Sequence, residues 1–375
     1  MEAIELTSSR YWESEEVDLR LNPRRAIVAS GLREFLQYDC GVSHSVVLAT
    51  SGSSGGFKFV VLSKAALLAS ARMVISHCEM SSEDVSLAGL SGFHVGGLGV
   101  FARAHLAGGR LIDASDRQWE RDGGWLLEMI RKEAVTQTSL TPTHLYDLVR
   151  HEAAAPASLR CVLLGGGRMD PQLIREAREL GWPVRVSYGM TEASSQVATA
   201  KGEEVDWLPV LPSWNLRKES DGRLAIQGEP LFSGYARKTD CGWRYDSGKT
   251  DQGWFVTGDR CEVKEGRLRF LGRADDLVKI SGELVSVSAI ENRATLIAHQ
   301  SGTDAAVVAI ADERRGGELV LVVEKGKVSS VEVFSEINQQ LEGIERLNRL
   351  VEVVELPRTS IGKLDRSALE DVAGR

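Results

Sequence analysis

The stretch Thr50-Ser51-Gly52-Ser53-Ser54-Gly55-Gly56-Phe57-Lys58, the Ser/Gly loop, decides how the rest of the chain is interpreted. It follows an apolar run, Ser45–Ala49, that is typical of a buried strand, and it precedes a helix-period segment that begins near Ser63. Glycines let a backbone turn its N–H groups toward a phosphate, hydroxyls donate further hydrogen bonds, and a lysine adds positive charge. It is not a Walker A loop, because Lys58 is followed by Phe59. The stretch is therefore either a phosphate-binding loop or a flexible turn.

Length, composition and charge limit the class of protein. At 375 residues the chain is long enough for two or more domains, each with its own core. Its 43% hydrophobic and 26% charged residues are typical of ordinary globular proteins. The formal net charge of -8 argues against general binding of nucleic acid, so we expect an anionic substrate to be held by local basic groups.

The sequence lacks several signals for membranes, secretion and metals. No apolar run reaches the roughly 18 residues that predict a transmembrane helix. The first residues, Met1–Glu5, lack the basic-then-apolar order of a signal peptide. The five cysteines are scattered and form no CxxC motif, which is typical of reduced thiols and gives no zinc site. We therefore expect a cytoplasmic protein without membrane insertion.

Strands and helices alternate from about residue 45 to residue 190, which predicts a mostly parallel α/β sheet. Two further polar turns follow predicted strands in this region. Gly165-Gly166-Gly167 follows Leu159–Leu164, and Tyr188-Gly189-Met190-Thr191-Glu192 follows Pro183–Ser187. Ligands collect at the carboxyl ends of parallel strands, so we expect both turns and the Ser/Gly loop to line one crevice.

Capping residues mark where several helices begin. Ser63, Thr141 and Asp170 are each suited to accept a hydrogen bond from the first turn of a helix, and the last two are followed by proline. Ser288 and Glu291 have the spacing of a capping box, which predicts another helix start.

The second half of the chain changes character twice. After Val205, short strands alternate with turns, which predicts a small antiparallel β subdomain over about residues 205–272, with a hairpin at Glu265-Gly266. From residue 274 onward, the order β-α-β-β-α-β predicts a compact α+β domain. The predicted layout is a large domain over residues 1–273 and a small one over residues 274–375.

Five motifs stand in a fixed order along the chain. They are the Ser/Gly loop, Tyr188–Glu192, Thr257-Gly258-Asp259, Gly272–Gly282 and Pro357–Arg366. Each alone has a simple structural explanation, such as a turn or a solvated lysine. Together, in this order, they resemble the adenylate-forming superfamily of acyl-CoA synthetases, peptide-synthetase adenylation domains and firefly luciferase. The resemblance extends from about residue 45 to the C-terminus.

The resemblance implies an ATP-dependent acid–CoA ligase. Such enzymes join a carboxylate to the α-phosphate of ATP, release pyrophosphate and then transfer the acyl group to CoA. Because two anions have to meet, catalysis would rest on positioning and on charge neutralisation. The implied substrates are a small carboxylic acid, ATP and CoA, and the implied metal is Mg²⁺. A homo-oligomer is left open.

The resemblance also implies which residues bind the phosphates of ATP. The β- and γ-phosphates would be held by Thr50, Ser51, Gly52, Ser53, Ser54, Gly55 and Lys58. Thr191 would bond the α-phosphate, and Glu192 would hold Mg²⁺, a hard cation that prefers oxygen ligands.

The nucleoside of ATP would lie on other motifs. Its site would include Gly165, Gly166, Gly167, Tyr188 and Gly189, with the three consecutive glycines against adenine. By the same resemblance, the Asp259 carboxylate would accept hydrogen bonds from the ribose hydroxyls, and Arg273 would support the ribose and the phosphates.

Two residues of the C-terminal part would serve the reaction cycle. Lys363 would reach the carboxylate and the α-phosphate oxygens, because a lysine is a compact charge on a long stem. Asp275 matches the hinge about which the mobile C-terminal domain of the family swings. One pose would bring Lys363 in for adenylation. The other would remove it and admit the thiol of CoA, with Arg273–Gly282 on that face.

The chain departs from the family pattern in two ways. Ser54 stands where the family loop usually has threonine, and Phe57 stands where it usually has proline. A serine keeps the hydroxyl, so we expect phosphate binding to survive. Only 49 residues precede the loop, fewer than usual, so we expect a shortened N-terminal part of the large domain.

Within the superfamily the chain is most similar to the o-succinylbenzoate–CoA ligases of menaquinone biosynthesis. The similarity lies in Gly92–Gly97 with the following Phe101-Ala102-Arg103, and in Ser139–Thr143. It also lies in the glycines that end the Leu159–Leu164 strand and in the Tyr-Gly-Met-Thr-Glu turn.

The similarity implies an acid with two carboxylates. Arg103 would bind the carboxylate that does not react, and His94 would pack on the ring or on the reacting carboxylate. Arg103 is otherwise a surface arginine of a helix, and His94 a turn histidine. Two alternatives for the function stay open: a ligase for another aryl or short acyl acid, and a degenerate adenylate-binding protein.

Overall fold

The structure is a computed structural model that describes residues 6–22, 29–51, 57–120, 122–167, 169–274, 276–312, 314–326, 328–359 and 364–374. Contacts divide the chain into two compact units. The first unit is Met1–Thr257 with Glu262–Phe270, and the second is Gly258–Cys261 with Leu271–Arg375. The domain boundary expected after Arg273 stays a prediction. None of the helices in the described ranges combines the length and hydropathy that a bilayer crossing requires.

Strands and helices follow one another with short connections. The strands are β1 Val17–Arg20, β2 Ser45–Ser51, β3 Phe57–Ser63, β4 Val85–Ala88, β5 Arg110–Asp113, β6 Gln137–Leu140, β7 Cys161–Leu164, β8 Val184–Met190, β9 Ser195–Thr199, β10 Leu208–Pro209, β11 Trp214–Lys218, β12 Arg223–Gly228, β13 Gly234–Thr239, β14 Gly242–Asp246, β15 Phe255–Lys264, β16 Arg267–Arg273, β17 Leu277–Ile280, β18 Glu283–Ser286, β19 Ala305–Ile310, β20 Glu318–Glu324 and β21 Arg349–Val353. The helices are α1 Ser9–Glu13, α2 Leu32–Glu34 with a π-helical continuation Phe35–Asp39, α3 Lys64–Cys78, α4 Val95–Ala107, α5 Gly124–Glu133, α6 Pro142–Arg150, α7 Pro171–Glu179, α8 Val287–Gln300, α9 Ser330–Gln339, α10 Arg366–Ala373, and the 3₁₀ turns Thr191–Ala193 and Gly343–Glu345.

The Ser/Gly loop connects two strands of a mixed sheet with the order β1-β2-β3-β13-β14. Strands β2 and β3 are antiparallel neighbours, with Thr50 opposite Lys58 and Ser51 opposite Phe57. The parallel alternation that was expected from about residue 45 therefore begins later, at β4. The reason is the length of the connection, because a short loop joins antiparallel neighbours whereas parallel neighbours need a long crossover.

The predicted parallel sheet is present and has the order β5-β4-β6-β7-β8-β9. Strands β4 to β8 run parallel to one another, whereas the edge strand β9 is antiparallel to β8. The triple glycine follows β7, and the turn with Thr191 follows β8. Both polar turns therefore lie at the carboxyl edge of this sheet, as predicted.

Three helix starts are as predicted. Each capping side chain accepts a hydrogen bond from a backbone N–H in the first turn: Ser63 from Ala66 at 3.1 Å, Thr141 from His144 at 3.4 Å and Asp170 from Gln172 at 2.8 Å. These caps satisfy donors that would otherwise be unpaired at the helix ends.

The capping box predicted at Ser288–Glu291 is wrong. Helix α8 begins after Ser286, whose hydroxyl accepts a backbone hydrogen bond at 3.3 Å. Glu291 is buried, and its carboxylate accepts hydrogen bonds from the backbone N–H of Val307 at 3.0 Å and from two guanidinium nitrogens of Arg366 at 2.7 and 2.6 Å. A tertiary ion pair thus replaces the local cap.

The predicted antiparallel β subdomain is a sheet with the order β10-β16-β15-β12-β11. Strands β10 and β16 pair antiparallel, as do β11 and β12. Glu265 and Gly266 connect β15 to β16 with φ angles of 51° and 71°, which suit a tight hairpin turn. Strands β13 and β14 come from the same stretch of sequence but join the sheet of the Ser/Gly loop.

The second unit has the predicted α+β architecture. Its sheet has the order β19-β20-β21, and side chains along β20 alternate between two apolar clusters. Leu319, Leu321 and Val323 pack with α8 and α9, whereas Val320 and Val322 pack with α10. This alternation buries both faces of the sheet.

A buried carboxylate ties helix α8 to the segment after β21. Asp304 accepts a hydrogen bond from His299 Nε2 at 3.2 Å through one oxygen and pairs with Arg358 through the other. Burial alone would raise the pKa of Asp304, but the hydrogen bond from His299 and the charges of His299 and Arg358 outweigh it. The pKa of Asp304 therefore lies below its ordinary value.

Because the folded-state pKa of Asp304 is lowered, its ion pairs stabilise the fold above the ordinary aspartate pKa and are lost as the pH falls below it. We expect the urea midpoint to drop between about pH 5 and pH 3. Asp304→Asn should lower the free energy of unfolding at neutral pH by about 3 kcal/mol. It should also make the urea midpoint less dependent on pH in the acid range. Circular dichroism measures both effects. The exposed Asp371→Asn is the control, and an identical acid profile in Asp304→Asn would contradict the assignment.

Candidate active site

Three side chains from separate elements meet at the carboxyl edge of the parallel sheet. Lys58 Nζ on β3 lies 3.1 Å from Glu192 Oε1, which belongs to the turn after β8. The Tyr235 hydroxyl on β13 donates to the same oxygen at 2.8 Å. Lys58 Nζ also lies 4.0 Å from the centroid of the Tyr235 ring. The structure therefore brings Lys58 and Glu192 into contact and adds Tyr235 to them.

Burial strengthens this cluster. Only 13% of the Glu192 side chain and 24% of the Lys58 side chain are exposed, so their charges are weakly screened by solvent. Burial and then the negative charge of Glu192 raise the pKa of Tyr235. The phenol therefore stays protonated and donates its hydrogen bond to the Glu192 carboxylate.

The base of the Ser/Gly loop is ordered by its hairpin. Thr50 Oγ1 donates to the carbonyl of Lys58 at 3.3 Å, and Ser51 pairs with Phe57 across the two strands. The predicted phosphate ligands Gly52, Ser53, Ser54 and Gly55 lie outside the described residues.

The backbone around Thr191 and Glu192 is held from both sides. Ser194 N–H donates to the Thr191 carbonyl at 3.0 Å, and Phe232 N–H donates to the Glu192 carbonyl at 2.8 Å. A side chain at Gly189 would lie 1.7 Å from the carbonyl oxygen of the chain on β9, so this bulged position requires glycine. Within the described chain, the Thr191 hydroxyl has no hydrogen-bond partner and is available for a ligand.

The triple glycine forms a closely packed ledge at the end of β7. A Cβ on Gly165 would lie 2.8 Å from Ser187 Oγ, and a Cβ on Gly167 would lie 3.2 Å from Pro142. Gly166 has a φ of 81°. Because these residues have no side chains, other groups can approach the backbone closely. A flat ring bound here would need such close approach. Beside this ledge, the ring of Tyr188 lies 5.8 Å from that of Phe270.

In the second unit, Asp259 and Arg273 face each other. Arg273 Nη1 lies 3.5 Å from Asp259 Oδ1, and Asp259 is only 8% exposed. A Cβ on Gly258 would lie 2.8 Å from Arg273 Nη2, so the glycine leaves room for the guanidinium. Ala274 N–H donates to the Gly258 carbonyl at 2.7 Å. These contacts orient the Asp259 carboxylate.

The predicted acid-binding residues lie on helix α4. His94 is its N-cap residue, and the His94 ring lies 4.7 Å from that of Phe93. Arg103 is only 5% exposed, so the interpretation as a surface arginine is wrong. Its Nη2 donates to Ser139 Oγ at 3.1 Å, and burial lowers its pKa. Within the described ranges, no carboxylate lies within ion-pair distance of this guanidinium.

Gly99 gives the Arg103 guanidinium its space. A helical side chain points toward the N-terminus of its helix, so Arg103 extends past the preceding turn. A Cβ on Gly99, one turn earlier, would lie 3.1 Å from Arg103 Nη1. A side chain at residue 99 would therefore require the guanidinium to move by a few tenths of an ångström.

Lys363 and Asp275 lie outside the described residues, so their roles stay predictions. The segments on both sides of Lys363 are anchored by ion pairs with buried carboxylates. Arg358 pairs with Asp304 before it, and Arg366 pairs with Glu291 after it. Arg358 and Leu364 also form an antiparallel bridge with each other.

The residues present fit a magnesium ion held with phosphates. In the described part of the chain, no group of three or more His, Cys, Asp or Glu side chains is arranged to bind a metal. Mg²⁺ usually takes one or two carboxylates and completes its shell with phosphates and water. The Glu192 carboxylate, fixed through one oxygen by Lys58 and Tyr235, can supply such a ligand.

Tyr235 is a site residue that the sequence did not indicate. It follows Gly234 in an ordinary strand and lies 43 positions from Glu192. Only the antiparallel pairing of β13 with β3, which places Tyr235 opposite Val60, brings it to the site. No local pattern reports a pairing of strands so far apart.

The fold thus combines a parallel α/β sheet, which has Lys58, Glu192 and Tyr235 at its edge, with an antiparallel β subdomain and a small α+β domain. The family described as AMP-binding enzyme matches residues 43–235, and its C-terminal domain family matches residues 291–363. The chain belongs to the AMP-binding enzyme family. Its class is adenylate-forming acid–CoA ligase.

Named relatives support the same class. A 2-succinylbenzoate–CoA ligase of Bacillus cereus is 30% identical over 345 residues, which cover 87% of this chain and 69% of the relative. A variant of E. coli MenE with bound OSB-AMS matches with a TM-score of 0.73 and 28% identity, covering 87% of this chain and 68% of that one. Bacillus subtilis o-succinylbenzoate CoA synthetase in complex with ATP and magnesium matches with a TM-score of 0.73 and 26% identity. The match covers 87% of this chain and 70% of that one.

The Tyr235 hydroxyl should matter for binding of magnesium ATP. Tyr235→Phe removes the donor that fixes Glu192 but keeps the ring packing on Phe232. We expect the KM for magnesium ATP to rise about three- to tenfold, since a hydrogen bond to a carboxylate is lost. Steady-state kinetics measures it. The half-buried Tyr245→Phe is the matched control, and equal KM values for the two variants would refute the role.

Proposed function

We propose that this chain is an o-succinylbenzoate–CoA ligase. It activates one carboxylate of the acid with ATP, releases pyrophosphate and transfers the acyl group from AMP to the thiol of CoA. The observation that carries this proposal is Arg103, a buried cation whose neighbours in the described chain include no carboxylate.

Burial without a counter-charge is costly for a guanidinium. A buried ion normally pairs with an opposite charge, because desolvation costs several kcal/mol or more. In the described chain Arg103 bonds a serine hydroxyl and has the thiols of Cys78 and Cys161 near it but no carboxylate, so a carboxylate partner is expected to come from a ligand. A dicarboxylic acid fits this need, because one carboxylate reacts while the other neutralises Arg103.

The cluster around Glu192 suits the ATP half of the reaction. Lys58 supplies positive charge for the leaving phosphates, and the Thr191 hydroxyl donates to the α-phosphate. Glu192 holds Mg²⁺, which when bound neutralises phosphate charge as the carboxylate approaches. Asp259, oriented by Arg273, accepts hydrogen bonds from the ribose hydroxyls.

The relatives favour the same acid. The Bacillus cereus relative is named a 2-succinylbenzoate–CoA ligase, and the E. coli structure holds OSB-AMS. Their identity to this chain is 28–30%, so the acid itself needs a direct test.

A panel of acids tests the proposal. Purified protein is incubated with ATP, Mg²⁺, CoA and one acid at a time, and the release of AMP is measured. We expect o-succinylbenzoate to give the highest kcat/KM. Activity with benzoate or fatty acids but none with o-succinylbenzoate would point to a ligase for another acid. No AMP with any acid, together with retained binding of ATP, would point to a degenerate adenylate-binding protein.

The space that Gly99 leaves should control binding of the acid. In Gly99→Ala, the new Cβ meets the Arg103 guanidinium, so we expect the KM for o-succinylbenzoate to rise about tenfold. Stability should not fall, because alanine favours a helix over glycine by about 1 kcal/mol. The control is Gly96→Ala in the same helix, whose Cβ only approaches Leu90 at 3.7 Å. Equal acid kinetics in the two variants would contradict this explanation.

Lys363 should act in one half-reaction only. Lys363→Ala removes the charge that is expected to meet the carboxylate and the α-phosphate, so adenylation should slow by about 10²-fold or more. Transfer from preformed acyl-AMP to CoA should remain close to normal. Pyrophosphate release and thioester formation measure the two steps separately. An equal loss of both steps would rule out the proposed role.

A further inference from the structure

Gln137 is a buried polar residue that the reaction described above does not use. It begins strand β6 and is only 3% exposed. Neither its amide nitrogen nor its amide oxygen has a hydrogen-bond partner in the described part of the chain. Buried amides are almost always hydrogen-bonded, and an unpaired one costs about 1–3 kcal/mol. The position therefore requires an explanation other than packing.

The amide of Gln137 faces a cavity that it shares with Arg103. The cavity has a volume of about 10 Å³, and its polar lining residues are Ser86, Arg103, Gln137 and Thr138. A polar cavity of roughly this size holds one water molecule when two or more polar groups can bond it. The site suits a water that accepts from a guanidinium N–H and donates to the Gln137 carbonyl oxygen.

A water in this cavity would lie between Gln137 and the Arg103 side chain, because both residues line it. Side chains alternate along a strand, so Gln137 and Ser139 lie on the same face of β6. Arg103 Nη2 donates one hydrogen bond to Ser139. A guanidinium has five N–H donors, so other donors of Arg103 can bond a water. Gly99 stands next to Nη1, on the side toward the start of helix α4. A water bonded to Gln137 would restrain the guanidinium at a point additional to its hydrogen bond with Ser139.

We propose that Gln137 is a positioning residue that determines specificity for acids with a second carboxylate. Through a buried water, it holds the Arg103 guanidinium in the orientation that pairs with the carboxylate that is not activated. This inference rests on the proposed function and assigns to it a residue that touches neither ATP nor the reacting carboxylate.

The test compares a diacid with its monoacid. The wild-type enzyme is first assayed with o-succinylbenzoate and with the two analogues that each lack one carboxylate. The analogue that is still activated serves as the comparison acid. Gln137→Met keeps the volume and removes the amide, and Gln137→Glu places a competing carboxylate beside Arg103.

We expect Gln137→Met to raise the KM for the diacid about tenfold while the KM for the monoacid and for ATP changes by less than about twofold. Gln137→Glu should raise the diacid KM further, because the new carboxylate pairs with the guanidinium. The melting temperature of Gln137→Met should change little, since methionine has a similar volume and Arg103 keeps its hydrogen bond to Ser139. Leu163→Val, which changes only the apolar wall of the same cavity, should keep the preference for the diacid.

Two kinds of failure are distinguishable. If the wild-type enzyme does not prefer the diacid, the proposed substrate is wrong and this inference is overturned with it. If the wild type prefers the diacid but both Gln137 variants keep that preference, or lose diacid and monoacid activity equally, the inference alone is overturned. An equal loss of diacid and monoacid activity would mean that Gln137 has only a structural role.

Discussion

The contact of Lys58 and Tyr235 with one oxygen of Glu192 is the interaction on which the candidate site depends. Lys58 and Tyr235 come from the mixed sheet, whereas Glu192 comes from the carboxyl edge of the parallel sheet. The contact therefore fixes how the two sheets meet beside the Ser/Gly loop. Because the three groups are largely buried, the charges act through a medium of low polarity and are strong. The Lys58 ammonium and the Glu192 carboxylate thus balance each other's charge before any ligand arrives.

A second constraint lies on the face of the parallel sheet under helix α4. Parallel strands that are covered on both sides usually carry apolar side chains. Here Ser139 and Gln137 of β6 face Arg103, so the layer under this helix is polar. A buried charge with so few partners would weaken a protein unless a ligand used it. The cost of this polar layer is consistent with a site that recognises an anionic acid.

Much of the site chemistry was predictable from local sequence. The turns after β7 and β8, the caps at Ser63 and Asp170, and the helix that carries Arg103 all depend on neighbouring residues, and they form as predicted. The capping box predicted at Ser288 does not form, because its glutamate makes a contact with a residue far away in the chain. The Glu291 carboxylate bonds Arg366, which is 75 positions away, and such a contact outweighs a local cap.

By itself, the sequence determined the order of the motifs, the fold class and the types of side chain that the chemistry needs. These properties follow from periodicity, turn chemistry and spacing, which act over a few residues. Only the tertiary structure decided that β2 and β3 pair antiparallel, that Tyr235 reaches Glu192, and that Arg103 is buried. Each of these depends on which strands pair and which face of a helix is covered. Those choices join residues far apart in the chain, and no local pattern encodes them.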